Sequence, residues 1–258
     1  DISTQPGPDW YNPDRPRSWS FSVNGASNIV FENLYFTRTQ YGSNDAYIGM
    51  YNGSQNVKVI NCNFNFENND ITAVKSEASH NILVEGCTIK GSYSTVSFKG
   101  NSTEYATGIV VRNNKFSVTN TAIYMTYVDS FNISGNVMEN ITQGGSYDAN
   151  MIIFGYTKGS FLFANNKIFG FSREAIHWGS TGYWFDVEGG HVSDGKPSYF
   201  VNNMIGGGPG SKFYNTSVIC ALRAEAPIHN VHFYYNSFNM DYVGTTYGAT
   251  NLNLAQNS

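Results

Sequence analysis

One eight-residue pattern recurs along the chain, and it restricts the fold more than any other feature. Written as apolar, any, apolar, any, Asn/Gly, Asn/Cys, any, apolar, it appears as IVFENLYF from Ile29, VKVINCNF from Val57, ILVEGCTI from Ile82 and IVVRNNKF from Ile109. It returns as FNISGNVM from Phe131, FLFANNKI from Phe161, SYFVNNMI from Ser198 and VHFYYNSF from Val231. Successive copies start 28, 25, 27, 22, 30, 37 and 33 residues apart. Self-similarity at this spacing marks an array, in which each unit buries its apolar side only against its neighbours.

The first half of each copy alternates with period two, as a half-buried strand does. Asn or Gly then turns the chain, because both tolerate left-handed backbone angles. The last apolar residue points back inside, so each copy reads as strand, tight turn, strand. A third strand is expected upstream of most copies: SWSFSV (18–23), AYIGMY (46–51), ITAVKS (71–76), TVSFKG (95–100), AIYMTY (122–127), MIIFGY (151–156), EAIHWG (174–179) and SVICAL (217–222). Three short strands per unit, stacked at roughly 4.8 Å, make three parallel sheets around one core. The reading is all-β: one right-handed parallel β-helix domain over 1–258, of about eight to nine coils. A β-sandwich would not repeat an Asn turn at one offset, and a propeller blade needs about 40 residues and four strands.

Composition agrees. Aromatics reach 16%, charged residues only 13%, and there are 32 Asn and 26 Gly. That mixture is rich in strand and turn formers and poor in helix formers. A net charge of −4 argues against a general nucleic-acid binder. No run of 18 apolar residues exists, so no helical membrane span is expected. Cys62 and Cys87 hold the same turn position in adjacent coils and are expected to stack as free thiols, since parallel Cβ vectors make a disulfide awkward. Stretch 1–17 reads as an extended lead-in, and its start at Asp1 suggests a processed product. NLNLAQNS reads as the first strand of a further coil. With no capping helix in view, a longer parent chain or a homotrimer is expected to cover the ends.

The pattern resembles the pectin-lyase-like superfamily of parallel β-helices, which includes pectate lyases, polygalacturonases, alginate and chondroitin lyases and phage tailspikes. The resemblance runs from about Trp19 to Leu254. It implies a carbohydrate-directed protein that is secreted or displayed on a cell or virion surface. Within NDITAVKSEASHNILVEGCTI, Asp70 and Lys75 match the offset between an acidic residue and a catalytic Lys in the alginate and chondroitin-B lyases. Lys99 stands where that family usually has Arg. A calcium ion is possible by the same resemblance, with Asn68 where the family has a second acidic ligand. The likeness to polygalacturonases is weaker. Asn69-Asp70 replaces their paired Asp, and Tyr93-Ser94, Tyr124 and Thr126 fall where their later motifs would lie.

Alternation on the third-strand set predicts one outward face. If Val74, Val96, Phe98, Ile123 and Met125 point inward, then Lys75, Ser97, Lys99, Tyr124 and Thr126 point out. His177 and Arg223 extend the row, with Glu225 just beyond and Tyr156 nearby; Tyr156 and Trp178 are candidate stacking surfaces for sugar rings. Elimination on a uronate polymer needs a cation for the carboxylate, a base for the C5 proton and an acid for the leaving oxygen, and this row holds those residue types. The expected catalytic set is Lys75, Lys99, Tyr124 and Asp70. The expected substrate-binding set is His177, Arg223, Tyr156, Trp178 and Glu225. The partner is then an acidic polysaccharide. A hydrolase would instead need two carboxylates, for which Asp45 and Asp70 are the candidates. A non-catalytic adhesin or tailspike-like module is the third reading. Insertions at 179–197 and 206–217 are expected to form loops that wall a groove or make oligomer contacts.

Overall fold

The computed structural model of the chain describes residues 19–37, 46–65, 72–91, 94–140, 150–171, 174–179, 189–206, 219–224, 226–239 and 249–254. Every regular element among them is a strand, and the strands form three parallel sheets. The first sheet has nine strands: Trp19–Asn24, Ala46–Tyr51, Thr72–Glu77, Ser94–Lys99, Thr121–Thr126, Ile152–Gly155, Glu174–Trp178, Ile219–Ala224 and Ala249–Leu254. Each strand between the two edges pairs with the strand one coil before and one coil after it. The eight-residue copies supply the other two sheets. Ala106–Arg112 pairs with Val128–Ser134 in the second sheet, and Lys115–Val118 pairs with Val137–Asn140 in the third. The chain is a right-handed parallel β-helix, the hand that parallel crossovers favour.

The fifth position of the pattern makes the corner. Asn33, Asn61, Gly86, Asn113, Gly135, Asn165 and Asn202 all adopt positive φ there, between 49° and 66°. The eighth copy places Tyr235 in the same conformation, at φ 54°. The sixth position points inward and builds a ladder. Asn114 Nδ2 donates to Val84 O at 3.0 Å and to Asn136 Oδ1 at 3.0 Å. Asn136, Asn166 and Asn203 repeat both bonds one coil further on each time. Cys62 and Cys87 are buried free thiols in the same ladder. Each thiol faces the carbonyl an Asn amide would reach, Phe31 O and Val59 O, both at 3.6 Å. The Cys62 sulfur beside it and its burial push the Cys87 thiol well above its ordinary range.

Like residues stack inside the tube. Phe36 lies on Phe64 with centroids 4.7 Å apart, Phe131 on Phe161 at 4.8 Å, and Phe163 on Phe200 at 4.6 Å. These spacings are the strand-to-strand distance, so in-register pairing alone places the rings face to face. Each buried Phe contributes about 1.5–3 kcal/mol by leaving water.

Two expectations change. Trp178, expected outside as a sugar-stacking surface, is fully buried. It is in register with Phe154, which follows the inward row Phe98–Met125, and it packs on Phe154 and Phe161. The outward residue of that strand is His177, one position earlier. The insertion at 179–197 is also not loop throughout. His191–Val192 adds a short strand against Thr157–Lys158 in the second sheet. Buried His191 reaches Thr157 Oγ1 and Ser198 Oγ, both at 3.2 Å, and so satisfies the polar first residue of the SYFVNNMI copy. Of 206–217, only Gly206 lies within the described residues, as the end of Met204–Gly206.

Candidate functional site

The outer face of the first sheet carries one continuous register row. Ser22, Gly49, Lys75, Ser97, Tyr124, Ile153, His177 and Arg223 are successive rungs of it. A second outward row holds Glu77, Lys99, Thr126 and Gly155. Strand alternation puts both rows on the side away from the core.

Two charged clusters stand on this face. In the first, Lys75 Nζ pairs with Glu77 Oε1 at 3.2 Å, and Lys99 Nζ lies over the Tyr124 ring, 5.1 Å from its centroid. Lys75 and Tyr124 are two rungs apart, roughly 10 Å. Ser97 and Thr126, expected in solvent, are buried. Ser97 sits between the longer Lys75 and Tyr124 on the neighbouring rungs, and Thr126 lies beside Lys99.

The second cluster centres on Glu174, which the sequence reading passed over. Its carboxylate is fully buried and meets Arg223 Nη1 at 3.1 Å and His177 Nδ1 at 3.6 Å. Such a charge is tolerated in a dry site only beside a counter-charge. His177, expected on the outside as a substrate-binding group, is buried, and both of its ring nitrogens are engaged. Nε2 donates to Gly179 O at 2.8 Å, and Nδ1 faces Asn150 Nδ2 at 3.5 Å. The imidazole therefore orients its neighbours, while Arg223, with a side chain 18% exposed, brings positive charge to the surface. The signal for Glu174 was its place: an acidic residue opening the strand EAIHW, three residues before His177, in a chain with few charges.

Tyr156, expected near the row as a sugar-stacking surface, lies at a corner of the coil. It takes φ 48° at the corner after Ile152–Gly155 and stacks on Tyr127, centroids 4.5 Å apart and planes 7° apart. Tyr105 stands edge-on to Tyr127, with Lys158 Nζ 4.1 Å from its centroid. Asp45, Asp70 and Glu225 lie outside the described residues, as does Asn68. The carboxylate pair and the calcium ligands suggested by resemblance therefore take no part in the geometry above.

No family model matches the sequence, and no curated protein matches it. Solved structures do. A cysteine-to-alanine mutant of DFA-IIIase from Arthrobacter chlorophenolicus in complex with DFA-III aligns with TM-score 0.47 and 10% identity, covering 81% of this chain and 43% of that one. The same enzyme without its lid aligns with TM-score 0.45 and 11% identity, covering 93% of this chain and 63% of that one. The chain thus spans less than two thirds of the structures it is similar to.

Proposed function

We propose that the protein acts on an acidic polysaccharide at the outer face of the first sheet, by β-elimination. The observation that supports this reading is the row itself: Lys75, Tyr124 and Arg223 on one face, with Lys99 over the Tyr124 ring. A uronate chain lying along the row meets a cation on either side of the phenol. Lys75 offsets charge on the reacting carboxylate, which stabilises the carbanion character that develops at C5, while Arg223, three rungs from Tyr124 and roughly 14 Å away, holds the carboxylate of a neighbouring sugar. A base on the face, Lys99 or Tyr124, takes the C5 proton. The electron pair forms the C4–C5 double bond, the C4–O bond breaks, and the leaving oxygen takes a proton from the other of the two. The setting that goes with such a polymer is extracellular, on a cell surface or on a virion.

The second reading is glycan binding without cleavage. Its support is that Glu77 engages Lys75 and Glu174 engages Arg223, so both cations are held in place as binding groups. One assay separates the readings. Incubation with alginate, pectate and glycosaminoglycans is followed at 235 nm, where unsaturated uronate ends absorb. Elimination predicts a rise with one polymer that Tyr124→Phe and Lys99→Ala each reduce at least 100-fold. Retention of a polymer without any rise assigns binding alone, and neither retention nor a rise rejects both.

A further inference from the structure

The outer face of the second sheet carries a separate aromatic surface near the end of the helix. Tyr199 and His232 are adjacent rungs, and Val201 and Tyr234 are the next pair along the same strands. Tyr199 lies 5.8 Å from His232 and 6.5 Å from Tyr234, with planes inclined by 40° and 32°. Tyr235 continues the series, 6.4 Å from Tyr234 and inclined by 43°. The polar edges are organised. Asn230 Oδ1 accepts from His232 Nε2 at 3.2 Å, so Nδ1 is left to accept from the Tyr234 hydroxyl at 3.0 Å. The Tyr234 oxygen then offers its lone pairs outward.

Tyr235 is the telling residue. Seven copies of the pattern put Asn or Gly at this corner, and a bulky side chain is disfavoured in the left-handed region. Tyr235 holds φ 54° there and is 87% exposed, so its contact with the Tyr234 ring offers little packing against the strain. Strain kept on an exposed ring points to a use for the ring.

We infer that Tyr199, His232, Tyr234 and Tyr235 form a binding platform for a neutral carbohydrate chain, distinct from the first-sheet face. Tilted, solvent-facing rings about 6 Å apart match the succession of sugar faces, and the phenol and imidazole edges supply hydrogen bonds to hydroxyls. No residue of the platform carries a permanent charge, which separates it from a surface for uronates or for nucleic acid, where phosphate contacts dominate. Its size separates it from a subunit interface. At roughly 200 Å² per ring, exposures of 40%, 47% and 87% for the three tyrosines leave about 350 Å² open. A stable dimer takes about 800 Å² per partner.

The test is native affinity electrophoresis of the full chain in gels containing xyloglucan, mixed-linkage β-glucan or galactomannan. The platform predicts retardation by at least one of them, weakened at least tenfold in Tyr199→Ala/Tyr234→Ala and unchanged in Lys75→Ala/Lys99→Ala. Because probe and variants differ from those of the uronate assay, the two readings fail separately. Tyr235→Asn is expected to weaken retardation while raising the thermal midpoint by about 2 °C, as removal of strain at a binding residue would. The inference is overturned by no retardation in any of the three gels, by aromatic variants that bind like the parent, or by binding lost in the lysine variant. A concentration-dependent dimer dissolved by Tyr234→Ala would overturn it in favour of a second copy.

Discussion

Asn136 sits in the middle of the internal ladder, and its replacement by Ala has a cost that can be worked out bond by bond. Its Oδ1 accepts from the Asn114 backbone N–H and from Asn114 Nδ2, both at 3.0 Å. Its Nδ2 donates to Val111 O at 2.9 Å and to Asn166 Oδ1 at 3.0 Å. Val111 O and Asn166 Oδ1 are acceptors that tolerate one lost donor, since Asn166 Oδ1 keeps the Asn136 backbone N–H at 3.1 Å. The Asn114 N–H and one hydrogen of its amide are orphaned, and both residues are buried from water. At about 1–3 kcal/mol for each of the two buried unsatisfied donors, Asn136→Ala is expected to cost about 2–6 kcal/mol. Asn136→Cys should cost somewhat less than Asn136→Ala, because its sulfur is a weak acceptor for the two stranded Asn114 donors and its thiol can face Val111 O as Cys62 faces Phe31 O. Urea unfolding followed by circular dichroism measures the totals. Hydrogen exchange at the Asn114 amide localises them, with protection falling most at that rung. An Asn136→Ala variant within 0.5 kcal/mol of the parent, in the sense of about a twofold change in the unfolding constant, would refute the ladder as a stabilising element.

Three more outcomes are expected. Burial, with the nearby His229 adding to it, holds His191 down to about 4 from an ordinary 6.5. The unfolded chain then binds the proton more readily than the folded one, so stability is full above pH 6.5 and falls as pH drops towards 4, by up to about 3 kcal/mol; thermal midpoints against pH should show this slope, flattened in His191→Gln. Cys62 and Cys87 should resist iodoacetamide in the folded protein, react together in urea, and show no mass deficit from a disulfide in denaturing mass spectrometry. Glu174→Ala should destabilise by about 3 kcal/mol by stranding the Arg223 charge, and Glu174→Ala/Arg223→Leu should recover most of it; a double-variant loss equal to the sum of the Glu174→Ala and Arg223→Leu losses would show that the pair is not coupled.

The architecture was legible because its period is local. Position five of the pattern is read from Asn and Gly, position six from Asn and Cys, and in-register stacking then fixes which residues share a face. Strand bounds followed within a residue or two, as at Ala46–Tyr51 and Glu174–Trp178. Alternation put Lys75, Tyr124, His177 and Arg223 on one row for the same reason. The same alternation, with His177 outward, turns Trp178 inward, as its register with Phe154 shows, so a sugar-stacking role for Trp178 conflicts with the rule that places its neighbour. Alternation missed Glu174, whose meaning depends on Arg223, 49 residues away. Sequence spacing does not reveal that a carboxylate will be dry; only the neighbouring coils do. His191 is the same kind of case, a histidine without local signal that fills a gap between Phe161, Trp178 and Ser198.

The most direct test of the account is a crystal structure of the Lys99→Ala variant soaked with uronate oligosaccharides of four to six units. The account predicts sugar density along the first sheet, with carboxylates at Lys75 and Arg223 and a ring over Tyr124. Density confined to the second sheet or to the ends of the helix, with the Lys75–Arg223 row bare at saturating oligosaccharide, would contradict it.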